Sequence, residues 1–142
     1  MIRFIPFSAL ALLMCGAQPA WAQATAWPDC APWDGAATRI VIPQSTAGDS
    51  ASQTTLSLAL YASPAAIRGR SWTISDHSQQ ELSVMLCPPG GPCTMARSGS
   101  VRVNSGANNS AITGQFRVRL ADGRLLTGHF SAPLQQRTQL CG

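Results

Sequence analysis

Along much of this 142-residue chain, apolar and polar positions alternate with a period of two. Leu56, Leu58 and Leu60 alternate with Ser57, Ala59 and Tyr61, and Trp72 and Ile74 with Ser71, Thr73 and Ser75. Leu82, Val84 and Leu86 are interleaved with Ser83 and Met85, and Val101 and Val103 flank Arg102. The longest run sets Ile112, Gly114, Phe116, Val118 and Leu120 against Thr113, Gln115, Arg117 and Arg119. Successive side chains of a strand point to opposite faces, so this pattern predicts strands with one covered face and one wet face. Arg39 to Ile42 adds a strand that stops before Pro43. Helical periodicity is weak. Ser63-Pro64-Ala65-Ala66 reads as one helical turn, with Ser63 as cap and Pro64 at its first position. Ser78 to Glu81 matches a capping box, but the residues after it alternate rather than coil. The expectation is an all-β domain, a small antiparallel β-sandwich or barrel of about seven to eight strands. Residues 44–53 and 104–110, rich in Ser, Asn and Gly, read as loops. Residues 23–36 carry two Pro and two Trp around Cys30 and read as an irregular lead segment.

Two hairpins can be registered residue by residue. In residues 114–132 the turn is Ala121-Asp122-Gly123. A two-residue Asp-Gly turn would put Leu126 and Phe130 on the face that carries Arg117 and Arg119, against burial. With Gly123 left-handed, a three-residue loop pairs Leu120 with Arg124, Val118 with Leu126, Phe116 with Gly128 and Gly114 with Phe130. Each Phe then lies across from a Gly whose bare backbone its ring can cover. The other face carries Gln115, Arg117, Arg119, Leu125, Thr127, His129 and Ser131, with Arg117 opposite Thr127 and Gln115 opposite His129. The second hairpin folds residues 81–99 about Gly90. It sets Cys87 opposite Cys93, Met85 opposite Met95 and Ser83 opposite Arg97, with Glu81 and Arg97 as diagonal neighbours.

The cysteines bring in compartment. Arg3, an apolar run from Phe7 to Gly16 and Ala20-Trp21-Ala22 together read as a signal peptide over 1–22, leaving a single β domain over 23–142. Met14 before Cys15 departs from a lipobox, which wants a small residue there. No later segment is long and apolar enough to span a membrane. Four cysteines remain after cleavage, an even number that reads as a disulfide framework in a periplasmic or secreted chain. The hairpin register pairs Cys87 with Cys93, whose Cβ atoms would be directly opposed. Cys30 and Cys141 follow by elimination, and would tie the lead segment to the last strand.

Charge narrows the function classes. The chain has ten basic residues, all Arg, against six acidic ones, for a formal net charge of +4. Arg is scattered without a run, which argues against nucleic-acid binding. No GxSxG, HExxH, P-loop or paired-carboxylate pattern occurs. Asp76 and His77 adjoin in a loop, and neighbours in sequence do not make a triad. The expectation is therefore a non-catalytic binding or inhibitor-type module without cofactor. Its surface would be Gln115, Arg117, Arg119, Thr127 and His129, and its partner a protein or a polar or anionic envelope ligand. Two alternatives stand beside it. Met85, Cys87, Cys93 and Met95 are soft ligands that would suit copper if the cysteines were free thiols. A small envelope hydrolase would have to draw on His77, His129 and Glu81.

Overall fold

The structure, a computed structural model, describes residues 23–44, 53–74, 81–106 and 110–142. In chain order the elements are β1 (Thr25–Cys30), β2 (Ala36–Gln44), β3 (Thr54–Leu60), α1 (Pro64–Ile67), β4 (Ser71–Ile74), β5 (Leu82–Cys87), β6 (Thr94–Val103), β7 (Ala111–Leu120) and β8 (Leu125–Pro133). The eight strands form one antiparallel sheet in the order β1-β2-β3-β5-β6-β7-β8, and β4 pairs with β6. The sheet curls so that its inner faces share one core, a half-barrel of the all-β class the alternation predicts. The signal peptide, the Ser78–Gln80 part of the capping box, Asp76 and His77 lie outside the described residues.

Inner-face rows follow from the registers. Ala26, Ile40, Leu58 and Val84 cross β1, β2, β3 and β5 as one row. On the other half, Trp72, Val101, Phe116 and Gly128 cross β4, β6, β7 and β8. All of the large side chains in these rows are buried, and Ile67 of α1 joins them. The helical turn is capped as its residues imply, with the Ser63 hydroxyl accepting from the Ala66 N–H at 3.3 Å.

The β7–β8 hairpin has the three-residue register. The Leu120 N–H donates to the Arg124 carbonyl at 2.8 Å, and the Gly123 N–H to the Leu120 carbonyl at 3.0 Å. Gly123 has φ +92°, a left-handed conformation that a Cβ would strain. Phe116 and Phe130 point into the core, at 6% and 3% exposure. Each ring fills the space above the glycine opposite: a Cβ on Gly128 would lie 2.8 Å from the Phe116 ring, and one on Gly114 2.7 Å from the Phe130 ring. Here the register and the glycines are one constraint, because a slip of one residue would put a side chain where a ring now sits.

Three sequence expectations are corrected. The lead segment is not irregular: Thr25–Cys30 pairs along its whole length with β2. Its alternation is hidden because the inward residues are small, Ala24 and Ala26, while the large Trp27 faces outward. Pro28 is accommodated because β1 is the terminal strand of the sheet. β2 likewise runs on through Pro43 to Gln44. The second correction concerns β6. The β5–β6 ladder reaches Met85↔Met95 and Leu86↔Thr94 and goes no further, so the Ser83–Arg97 pair and the Glu81–Arg97 diagonal are not formed. A bulge between Ala96 and Ser98 turns β6 away, and from Gly99 onward it pairs with β4 instead. Gly99 has φ +129°, and a Cβ there would collide with the Arg117 carbonyl. A bulge with a glycine is how a strand bends out of one ladder into another. Third, Cys141 does not sit on a strand. It lies in a tail beyond β8 and closes on Cys30 with Cα atoms 5.6 Å apart.

That tail covers the open edge of β1. Leu134 bridges to Ala26, the Gln135 N–H donates to the Ala26 carbonyl at 2.8 Å, and the Arg137 guanidinium lies 4.5 Å from the Trp27 ring centroid. Asp29 adds an internal tie, accepting from the Arg39 Nε at 2.8 Å. Partial burial would raise the Asp29 carboxyl pKa, but the Cys30 N–H and the Arg39 guanidinium outweigh it and hold it below the usual value.

The two disulfides differ in what they constrain. Cys87–Cys93 closes six residues of chain and Cys30–Cys141 closes 111. In the chain-entropy model the long bond stabilises by about 4.8 kcal/mol and the short one by about 2–2.5 kcal/mol. Cys141→Ser should therefore lower the denaturation midpoint more than the double change Cys87→Ser and Cys93→Ser. Peptide mapping of Cys141→Ser should show Cys30 as a free thiol with Cys87–Cys93 intact. Gly128→Ala should destabilise by about 1–3 kcal/mol by displacing the Phe116 ring, readable as a shift in urea midpoint without a change in slope.

Candidate functional site

The outer face of β4, β6, β7 and β8 is built by the same registers as the core, one residue out of phase. Three rows cross it. The first is Ser71, Arg102, Gln115 and His129; the second is Thr73, Ser100, Arg117 and Thr127; the third is Ser98, Arg119 and Leu125. Within these rows there is no carboxylate, and three of the residues are Arg. Described acidic residues lie elsewhere. Asp29 is held by Arg39 on β2, Asp122 by Arg124 at the hairpin tip, Asp34 sits in the β1–β2 turn and Glu81 precedes β5.

A shallow depression of about 430 Å³ opens on this face, lined by Ser100, Arg102, Gln115, Phe116, Arg117, Thr127, Gly128 and His129. Arg102 and Arg117 are diagonal neighbours on adjacent strands, because Arg102 pairs with Gln115 and Arg117 with Ser100. At diagonal spacing, long side chains reach one another or a shared ligand. The hydroxyls of Ser100 and Thr127 and the amide of Gln115 are interleaved with them. A second depression, about 500 Å³, continues along β7 and β8 and is lined by Asn104, Thr113, Gly114, His129, Phe130 and Ser131. His129 belongs to both, so the two form one trough, cationic at one end. The Asn104 amide is oriented by a bond from its Nδ2 to the Thr113 hydroxyl at 3.1 Å.

Of the five residues singled out in the sequence, four line the first depression: Gln115, Arg117, Thr127 and His129. Arg119 does not; its guanidinium Nη1 donates to the Gly123 carbonyl at 2.9 Å and braces the hairpin turn. Sequence reasoning passed over Ser100 and Arg102. Their outward phase is visible in Val101-Arg102-Val103, but their place beside β7 depends on β6 having left β5, which no local pattern announces.

The alternative soft-ligand set lies on the other half of the sheet. Met85 and Met95 pair directly, with Met95 exposed, while Cys87 and Cys93 are joined in a disulfide and present no thiolate. The hydrolase alternative divides in space. His129 lies in the trough, Glu81 precedes β5 on the other half of the sheet, and His77 is outside the described residues.

No protein-family model matches the chain, and comparison with curated proteins and with solved structures finds no match either.

Like charges held together on one face repel. Arg102→Gln or Arg117→Gln should leave stability unchanged or raise it by up to about 0.5 kcal/mol. Any gain should shrink between low salt and about 0.5 M salt as screening tightens. Thermal melts of the two variants at both salt concentrations check this, and a loss above 1 kcal/mol would mean that the arginines serve the fold.

Proposed function

We propose that the protein is an exported, non-catalytic binding module whose working surface is the outer face of β6, β7 and β8 and whose ligand is anionic. The observation that carries this reading is the unbalanced row structure: Arg102, Arg117 and Arg119 on one sheet face with no carboxylate in the described rows. Two of the described acidic residues are already paired with other arginines, and no described carboxylate offsets the repulsion among the three arginines of these rows, which an anionic ligand would relieve. Guanidinium groups at diagonal spacing suit bidentate contact with carboxylate or phosphate oxygens, and the flanking hydroxyls and amide add directional bonds. The trough is shallow and open, a form suited to laying a ligand along a sheet. Two disulfides fit an oxidising compartment, which supports export. Among the described residues no helix is long and apolar enough to cross a membrane.

The test is an NMR titration with two acidic probes, tetragalacturonate and an alternating Glu-Thr octapeptide. Wild type should show saturable shifts at Ser100, Arg102, Gln115, Arg117 and Thr127 with at least one probe. Arg117→Gln and Arg102→Gln should each weaken binding by about tenfold, in the range for a lost charge-assisted contact. Arg124→Gln, which removes the same charge at the hairpin tip, should bind like wild type. Equal affinities for all four proteins, or shifts confined to the β1–β3 half, would defeat the reading.

A further inference from the structure

Most of the described arginines are in use. Arg39, Arg68, Arg119, Arg124 and Arg137 each donate at least one side-chain hydrogen bond, and the Arg70 guanidinium lies 4.4 Å from the Trp72 ring centroid. Arg102 and Arg117 are different. Among the described residues neither makes a side-chain hydrogen bond, an ion pair or a ring contact, although both are exposed and line the same depression. The side chains of Ser100 and Gln115 beside them are likewise unengaged. Arg97 is unengaged too, but it sits in the bulge of β6, away from these rows.

The β6–β7 register sets Ser100, Arg102, Gln115 and Arg117 at the corners of one parallelogram. The Asn104 N–H donates to the Thr113 carbonyl at 2.9 Å. Antiparallel pairs alternate between those that exchange backbone bonds and those that do not, so Arg102–Gln115 and Ser100–Arg117 are bonded pairs. Their Cα atoms are about 5.5 Å apart across the ladder and about 7 Å apart along each strand. One diagonal carries the two guanidinium groups, the other a hydroxyl and an amide. Every corner can donate N–H or O–H, and none is a carboxylate. His129 lies opposite Gln115 on β8, and no corner depends on it.

Charge and shape then choose the ligand. A carboxylate brings one negative charge to two guanidinium groups, and two oxygens in one plane. It can satisfy one diagonal, and it leaves part of the repulsion between the arginines in place. A phosphate monoester brings nearly two charges and three strong acceptor oxygens, directed tetrahedrally. Two of those oxygens can take the guanidinium groups while the third takes the hydroxyl and the amide. A sulfate ester has the same shape with a single charge. The depression is shallow, so the esterified group has room to leave toward solvent.

We infer that Ser100, Arg102, Gln115 and Arg117 form a subsite for a dianionic phosphate monoester, with the two arginines supplying charge and the hydroxyl and amide fixing the third oxygen. This rests on the anion-binding reading and narrows it to a phosphoryl group. A soluble phosphate ester and a monoester lipid headgroup share that chemistry.

The experiment is an NMR titration of the full mature protein at about pH 8, where a phosphate monoester carries its second charge. Phenyl phosphate, phenyl sulfate and benzoate share a ring and differ in the charge and shape of the anionic group. Phenyl phosphate should shift all four corner residues and bind about tenfold more tightly than either of the others, in the range for an added charge-assisted contact. Arg102→Gln and Arg117→Gln should each remove that preference, and Arg124→Gln should keep it. Ser100→Ala should weaken phenyl phosphate severalfold and leave benzoate unchanged. Glycerol phosphate, and phosphatidylcholine vesicles with and without phosphatidic acid, then identify the source. Binding of glycerol phosphate marks a soluble ester, binding only to vesicles that contain phosphatidic acid marks a headgroup, and either supports the subsite. Equal affinities for phenyl phosphate and phenyl sulfate, both lost in the arginine variants, would overturn the dianion and leave the anion site standing. Binding of tetragalacturonate without any binding of phenyl phosphate would do the same. A phosphate preference that survives both arginine variants would overturn the placement. If neither the phenyl probes nor the two acidic probes bind, both the inference and the reading beneath it fall.

Discussion

This sheet wraps its core because one strand, β6, stops following one neighbour and starts following another. Its first two residues complete the ladder of β5, and its remainder, past the bulge at Ala96 and Ser98, pairs with β4. Gly99 permits the turn because its backbone adopts a conformation that a Cβ would obstruct, and the Arg117 carbonyl passes where that Cβ would be. Everything downstream depends on this change of partner. It brings Val101 and Val103 into the same core as Leu56 and Leu58. It also sets Arg102 beside Arg117 on the outside. One backbone irregularity therefore shapes both the interior and the proposed working face.

The two halves of the sheet are finished differently. On the β1 side, the C-terminal tail, the Cys30–Cys141 bond and the Asp29–Arg39 pair close off the edge and neutralise charge. On the β8 side the acidic residues are absent from the described rows. The β8 half therefore carries the cationic face and the β1 half the neutralised one. That asymmetry supports a recognition role more directly than composition does, since the small net charge of +4 is unremarkable by itself.

The copper-type ligand set shows how compartment decides chemistry. Met85, Cys87, Cys93 and Met95 do come together at one hairpin, with the methionines directly paired. Once the cysteines are oxidised the same geometry is a cross-link that closes the Pro-rich tip. The hairpin gains rigidity, and the thioethers are left on the outer surface as packing groups.

Local rules were enough for the β7–β8 hairpin and for both cysteine pairs. In the hairpin the turn glycine, the alternation and the two Phe–Gly pairs all demand one register, so agreement among independent short-range constraints settles it. Cysteine parity works the same way: once one pair is fixed by opposed positions, the other has no alternative. β1 escaped notice because strand detection weighs large apolar residues, whereas its buried positions are alanines and its Trp27 faces outward under Arg137. The exit of β6 from its hairpin escaped for a different reason. Pairing Arg97 with Ser83 and bending away to β4 are equally consistent with local alternation, and only the closure of a shared core, which rewards contacts between residues distant in sequence, chooses between them. Faces and turns are thus properties of neighbouring residues and can be read from the chain. The trough that joins Ser100 and Arg102 to Arg117 and Thr127 is a property of which strands lie side by side, and tertiary packing alone decides that.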